Sequence, residues 1–226
     1  MALIKICGLR ETDTAIAAAA GGANMLGFVF YAKSPRAVTP DAAGDIVTEV
    51  KQAAYDEGFD PPKFVGLFVD AGEKQLAEAA PFLTHFQFHG DETPERVAEI
   101  GAEFGIEIIK ALAISGPNDV GRAGEFADCA DMLLFDAAPP KGADRPGGHG
   151  AAFDWSALGS YASDAPWLLA GGLTPETVEA AIAATKAIPG FFGVDASSGV
   201  ERAPGQKDPD KIARFIKTAR ASMDGR

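Results

Sequence analysis

The sequence has little cysteine and little histidine. Its two cysteines, Cys7 and Cys129, lie far apart and match neither a disulfide framework nor the spacing of a metal site, so both are expected to be free thiols. The three histidines form no zinc pattern with the cysteines and carboxylates, and nothing in the sequence requires a metal ion.

Basic residues are also scarce, with 20 Lys and Arg against 32 Asp and Glu and a net charge of −12. This balance argues against binding nucleic acid or an anionic membrane surface, since either would require a basic patch. An anionic small molecule remains compatible with it, provided that backbone amides and a few Arg or Lys residues lie beside the ligand.

Long apolar segments are missing too. No run reaches the roughly 18 residues that a membrane span needs, and the first residues lack the charged and apolar regions of a signal peptide. Both observations predict a cytoplasmic protein. The 226 residues, of which 47% are hydrophobic, fit one domain of barrel size covering residues 1–226.

Short apolar runs alternate with longer amphipathic segments along the whole chain. Several runs are continuously apolar, which is typical of parallel strands covered by helices on both faces. The predicted strands are Leu3–Cys7, Met25–Phe30, Lys63–Val69, Phe86–Phe88, Glu107–Ala111, Met132–Phe135, Trp167–Ala170 and Phe191–Val194.

Helix starts are marked by an N-capping oxygen followed by proline. The four dipeptides are Thr39-Pro40, Thr93-Pro94, Thr174-Pro175 and Asp208-Pro209.

Eight βα units in a chain of this length predict a single-domain (βα)₈ (TIM) barrel. A doubly wound open sheet is the alternative, although no Gly-x-Gly-x-x-Gly follows the first strand. The irregular segment Ala137–Gly150 is expected to lie over the mouth of the barrel.

The active site of such a barrel lies at the carboxyl ends of the strands. Cys7 ends the first predicted strand, where it could be a buried apolar residue or a thiol made reactive by the following helix. Asp136 follows four apolar residues, so burial could raise its pKa and make it a general acid, although a helix cap or an ion pair is equally compatible. These two residues are the catalytic candidates.

Two turns near the C-terminus are rich in small residues and follow the last two strands. Backbone N–H groups in the final loops of many barrels bind phosphate, and small residues let it approach. The candidates for phosphate binding are Gly171, Gly172, Ser197, Ser198 and Gly199.

Three further polar residues follow predicted strands. Arg36 could hold a carboxylate with two parallel hydrogen bonds, although a loop arginine is often only solvated. His89 and Asp195 are the other candidates for substrate contact, and a histidine at a strand end often binds only backbone.

Together these segments resemble phosphoribosylanthranilate isomerase, and the match runs in order through nearly the whole chain. The matching segments are Lys5-Ile6-Cys7-Gly8-Leu9, Gly27-Phe28-Val29-Phe30, Ser34-Pro35-Arg36, Val65-Gly66-Leu67-Phe68-Val69, Gln87-Phe88-His89-Gly90, Phe153-Asp154-Trp155, Leu169-Ala170-Gly171-Gly172-Leu173, Gly193-Val194-Asp195, Ser197-Ser198-Gly199-Val200-Glu201 and Gly205-Gln206-Lys207-Asp208.

The resemblance implies an Amadori rearrangement of N-(5-phospho-β-D-ribosyl)anthranilate in tryptophan biosynthesis, without a cofactor. It implies that Asp136 protonates the ring oxygen and that the thiolate of Cys7 removes the C2′ proton. Arg36 would hold the anthranilate carboxylate, and the two turns at Gly171-Gly172 and Ser197-Ser198 would hold the phosphate.

The sequence departs from the family pattern at Phe88, at Ala137 after the aspartate, and at His149, where leucine, a hydroxyl residue and threonine are more usual. The alternatives are another phosphosugar barrel, which would require an aspartate in place of Cys7 or paired metal ligands, and a barrel that binds a phosphorylated ligand without catalysis. A monomer and a homodimer are both compatible with the sequence.

Overall fold

A computed structural model describes residues 3–139, 147 and 153–224 of the chain. Eight parallel strands form a closed barrel in which each strand pairs with the next and β8 pairs with β1. This confirms the predicted fold class and excludes the open sheet. The strands are β1 (Leu3–Cys7), β2 (Met25–Val29), β3 (Lys63–Phe68), β4 (His85–Phe88), β5 (Glu107–Ile114), β6 (Met132–Ala137), β7 (Trp167–Leu169) and β8 (Phe191–Ala196).

Helices surround this barrel, and a small antiparallel hairpin of β9 (Glu201–Ala203) and β10 (Gln206–Lys207) follows β8. The α-helices are α1 (Thr12–Ala20), α2 (Pro40–Glu57), α3 (Glu73–Ala79), α4 (Pro94–Phe104), α5 (Pro117–Gly121), α6 (Val178–Thr185) and α7 (Pro209–Asp224). Short 3₁₀ helices cover Ala80–Phe82, Arg122–Phe126, Trp155–Ser160 and Ser198–Val200. None of the helices in the described ranges is long and apolar enough to cross a membrane.

Three of the four predicted helix starts are confirmed. The hydroxyls of Thr39 and Thr93 and the carboxylate of Asp208 each accept a hydrogen bond from the first turn of the helix that follows. The prediction at Thr174 was wrong, because α6 begins only at Val178. The hydroxyl of Thr174 does accept a hydrogen bond from the N–H of Glu176, and that of Thr177 accepts one from the N–H of Thr174, but residues 175–177 form a turn before the regular helix.

Two apolar cores result from the closed sheet. The larger one lies between the strands and the helices and contains most of the phenylalanines. The smaller core fills the inside of the barrel. Its residues alternate with those of the larger core along each strand, because successive side chains of a strand point to opposite faces of the sheet. Its members are Met25, Val65, Ile109, Ala111, Met132, Leu134, Leu168 and Ala170.

Three strands extend further toward the mouth than predicted. β5 continues to Ile114, β6 to Ala137 and β8 to Ala196. As a result Asp136 and Asp195 belong to strands, and the pleat fixes the direction of their side chains. The predicted cover over the mouth, Ala137–Gly150, falls largely outside the described residues.

Candidate active site

A cavity opens at the carboxyl ends of the strands. It brings together six of the ten predicted site residues, which come from five different strands or the loops after them. The other four (Gly171, Gly172, Ser198 and Gly199) do not line it. The six are Cys7, Arg36, His89, Asp136, Asp195 and Ser197.

Cys7 ends β1 and is 3% exposed, with its thiol against the backbone of β2. Gly27 makes room for the sulfur, since a Cβ at that position would lie 2.7 Å from Sγ. Burial is the main influence on the thiol and raises the pKa of Cys7, while the positive charge of Lys5 opposes the rise and the negative charge of Asp195 adds to it. The resting form of Cys7 is therefore the thiol, and forming the thiolate depends on nearby cations.

Asp136 lies on β6 with its side chain in the same cavity. Its Oδ1 accepts a hydrogen bond of 2.9 Å from the backbone N–H of Ala137. Burial, together with the negative charge of Asp195, raises the pKa of Asp136 to about 7 despite this hydrogen bond. The carboxyl group can therefore hold a proton near neutral pH, which a general acid requires.

His89 follows β4 and faces Asp136, with 3.4 Å between Nε2 and Oδ2. Burial, followed by the charges of Lys110 and Lys5, lowers the pKa of His89 to about 3. The imidazole is therefore neutral at physiological pH, and the contact with Asp136 is not an ion pair. Nε2 is buried and has no hydrogen-bond partner among the described residues. Gly147 packs over both side chains, because a Cβ there would lie 2.6 Å from Oδ2 of Asp136.

Arg36 is buried and forms a two-point ion pair with Glu201 on β9. Its Nε lies 2.7 Å from Oε1, and its Nη2 lies 2.9 Å from Oε2. Lys207 on β10 also binds Oε1, at 2.9 Å. Burial disfavours ionisation of Glu201, but the hydrogen bond from Arg36 and the charge of Lys207 outweigh it and lower the pKa of Glu201. One edge of the guanidinium is thus occupied, and only the Nη1–Nη2 edge is left for a ligand carboxylate.

The two turns predicted to bind phosphate lie against each other after β7 and β8. A Cβ at Gly199 would lie 1.9 Å from the carbonyl oxygen of Leu173, so only glycine permits this approach. Gly171 and Gly172 have φ angles of 84° and 65°, which glycine adopts readily. The backbone N–H groups of residues 172, 173, 198 and 199 donate to no residue that the structure describes. The turns thus offer a set of backbone donors beside the cavity, as a phosphate would require.

Sequence reasoning missed three polar residues that complete the site. Lys5 lies below Cys7 and binds Asp195. Glu201 holds Arg36 in place by an ion pair. Gln87 lines the cavity, and its buried Oε1 has no hydrogen-bond partner in the described ranges. A signal was available for Lys5 and Gln87, since each interrupts an apolar strand at an inward-facing position. Glu201 carried no such signal.

The fold and the cavity define a (βα)₈-barrel enzyme whose active site lies at the carboxyl ends of the strands. The family model described as N-(5′-phosphoribosyl)anthranilate (PRA) isomerase matches residues 4–218. The chain therefore belongs to the N-(5′-phosphoribosyl)anthranilate isomerase family.

Relatives and solved structures agree with this assignment. The chain is 49% identical over 220 residues to N-(5′-phosphoribosyl)anthranilate isomerase of Rhodospirillum rubrum, covering 96% of this chain and 97% of that protein. It is 46% identical over 222 residues to the enzyme of that name from Paracoccus denitrificans, covering 97% and 98%. The crystal structure of phosphoribosyl anthranilate isomerase from Thermotoga maritima matches with a TM-score of 0.80 at 34% identity, covering 98% of this chain and 100% of that one.

A further crystal structure shows phosphoribosyl anthranilate isomerase in complex with reduced 1-(o-carboxyphenylamino)-1-deoxyribulose 5-phosphate. It matches with a TM-score of 0.77 at 32% identity, covering 98% of this chain and 100% of that chain.

The ionisation of Asp136 can be tested directly. Carboxyl-carbon NMR of aspartate-labelled protein is expected to show Asp136 titrating at about 7. Asp195→Asn should lower this midpoint, because it removes a negative charge that disfavours the carboxylate of Asp136. Asp154 is an internal control, since hydrogen bonds from Ser156 lower its pKa. A midpoint for Asp136 as low as that of an ordinary aspartate would contradict the assignment.

Proposed function

We propose that this chain catalyses the Amadori rearrangement of N-(5-phospho-β-D-ribosyl)anthranilate to 1-(2-carboxyphenylamino)-1-deoxy-D-ribulose 5-phosphate in tryptophan biosynthesis. The reaction is an intramolecular aldose–ketose isomerisation. The observation that carries the proposal is the pairing of a buried thiol with a carboxyl group of pKa about 7 in one cavity. Such a pair supplies the base and the acid that this rearrangement needs.

Ring opening is the first step. Asp136 donates its proton to the furanose ring oxygen, the C1′–O bond breaks, and the anthranilate nitrogen supplies the electron pair that forms the protonated Schiff base. Burial keeps the proton on Asp136 in a pH range where an exposed aspartate would have lost it.

Proton removal from C2′ is the second step. The thiolate of Cys7 takes the proton, and the electron pair left on C2′ moves into the C1′–C2′ bond and neutralises the Schiff-base nitrogen. The enolamine that forms then relaxes to the ketone. The nitrogen of the substrate accepts the developing charge, so the scheme requires no cofactor, and its absence stays a prediction.

The two catalytic groups share their protons. With the pKa of Cys7 raised and that of Asp136 at about 7, the state that has lost one proton is mainly thiol with carboxylate. The productive state, thiolate with carboxylic acid, contains the same number of protons. The two groups therefore titrate as a coupled pair, and catalysis uses the less populated of two arrangements.

The remaining groups would bind the two anionic ends of the substrate. The free edge of Arg36 suits the anthranilate carboxylate, and the donors at residues 172, 173, 198 and 199 suit the phosphate. The neutral imidazole of His89 and the carboxylate of Asp195 would face the sugar between them. The cytoplasmic location stays a prediction. It is supported by the free thiol of Cys7, because thiols stay reduced in a reducing compartment. The oligomeric state, monomer or homodimer, likewise stays a prediction.

Removal of either catalytic group should abolish most of the activity. We expect Cys7→Ala and Asp136→Asn each to lower kcat by about 10²- to 10⁴-fold, because each removes one proton-transfer group. Steady-state kinetics with phosphoribosylanthranilate measures the loss, and complementation of a tryptophan auxotroph that lacks this isomerase tests it in cells. Cys129→Ala is the matched control and should keep wild-type kinetics, since Cys129 lies outside the cavity. Near wild-type turnover in either variant would reject the mechanism.

Arg36→Met should mainly raise KM, by about 10- to 100-fold, because a charged hydrogen-bonded contact to the carboxylate contributes to substrate binding. Arg220→Met is a matched control, since Arg220 binds Gly22 and Asn24 and does not line the cavity. Circular dichroism would show that both variants are folded before KM and kcat are compared. An effect of Arg36→Met on kcat alone would reject the assigned role.

A further inference from the structure

One charged residue in the barrel has no part in the proposed scheme. Lys5 lies in the middle of β1 and is 0% exposed. Its neighbours Ile4 and Ile6 belong to the outer core, so Lys5 and Cys7 point into the barrel on the same face of the strand. A lysine is rarely buried at this depth unless it is paired, and its presence needs an explanation.

Among the described residues, the ammonium group of Lys5 forms one ion pair. Asp195 stands opposite Lys5 in the pairing of β1 with β8, and Nζ lies 2.7 Å from Oδ1. Burial by itself would lower the pKa of Lys5. The negative charge of Asp195, together with Cys7, outweighs burial and raises this pKa. Lys5 is therefore an ammonium throughout the working range of the enzyme.

An ammonium has three N–H donors, and Asp195 accepts only one of them. Toward the bottom of the barrel the inner core contains apolar side chains such as Met25 and Met132, which are poor acceptors. Toward the mouth the next inward-facing residue of β1 is Cys7. The sulfur of Cys7 is therefore the acceptor that the remaining donors can serve when a proton leaves it.

Other cations are less well placed to serve the thiol. Arg36 is bound at two points by Glu201, and Lys207 is held by Glu201 and by the carbonyl oxygen of Ser197. The following helix α1 begins only at Thr12. The charge of Lys207 also favours the thiolate of Cys7, but less than that of Lys5 does. The other titratable groups that act on Lys5, Cys7 or the cavity are Asp195, Asp136, His85, His89 and, through His89, Lys110.

We propose that Lys5 is the positioning residue of the base: held by Asp195 beneath Cys7, its ammonium group stabilises the thiolate by charge and by an N–H donated to the sulfur. The role rests on the proposed function, because it makes the base of that reaction available. Lys5 keeps its proton throughout. As the C2′ proton arrives at the sulfur, the N–H contact weakens and the ion pair with Asp195 remains.

Titration of the thiol tests this role without turnover. In a Cys129→Ser background Cys7 is the one remaining thiol of the sequence, and the rate of its alkylation by iodoacetamide is followed against pH. Lys5→Met should raise the midpoint of Cys7 by about one unit or more, since a cation within a few ångströms shifts a pKa by about that amount. At a fixed pH below the midpoint, alkylation should be about tenfold slower or more.

Two further variants separate charge from packing. Lys5→Gln removes the charge but keeps a donor for Asp195, so it should raise the midpoint even if Lys5→Met does not fold. Lys110→Met is the matched control: Lys110 is also buried and ion-paired, with Glu92 at 2.8 Å, but on the outer face of β5. Its loss should cost stability and leave the midpoint of Cys7 unchanged.

The proposal is overturned if folded Lys5→Met or Lys5→Gln protein shows the wild-type midpoint, or if Lys110→Met raises the midpoint as much as they do. The proposed function fails by a different result, namely retained turnover in Cys7→Ala. If Cys7→Ala is inactive and the Lys5 variants leave the midpoint unchanged, only the role of Lys5 is rejected.

Discussion

Side chains that point into a closed barrel of eight parallel strands share a volume that bulk water does not fill. Every ionisable group placed there loses hydration, and this loss disfavours its charged form. Burial is accordingly the largest influence on Cys7, Asp136 and His89: it raises the pKa of the thiol, raises that of the carboxyl to about 7 and lowers that of the imidazole to about 3. The chemistry of the site follows from this single constraint.

The buried cations show how the fold meets the same constraint. Lys5 is paired with Asp195, Lys110 with Glu92, and Arg36 with Glu201. Buried ion pairs add little to stability compared with apolar residues of similar size. The pairs of Lys5 and Arg36 have a positional value, because each holds a positive charge in a fixed place beside the cavity.

Much of the fold could be predicted because its signals are local. Continuous apolar runs define the strands, and Thr-Pro and Asp-Pro pairs define helix starts. The start at Thr174 was placed too early, because a turn at residues 175–177 comes between the capping hydroxyl and the regular helix. The extra length of β5, β6 and β8 depends on pairing with neighbouring strands, which single segments do not reveal.

The site was predictable where a residue type by itself suggests chemistry, as for Cys7 and Asp136. The supporting contacts were not, because their partners are remote in sequence: Lys5 and Asp195 are separated by 190 positions, and Arg36 and Glu201 by 165. Only the closure of β8 onto β1 brings the first pair together. The protonation state of Cys7 at rest was not predictable either, because burial in the folded protein raises its pKa.

The proposed mechanism requires that Cys7 and Asp136 share one proton in the active enzyme. The pH dependence of kcat/KM in the wild-type protein tests it most directly. We expect kcat/KM to rise as the pH increases through about 7, to stay level, and to fall only when the thiol of Cys7 also ionises. Activity that is greatest well below 7, where both groups are protonated, would contradict it.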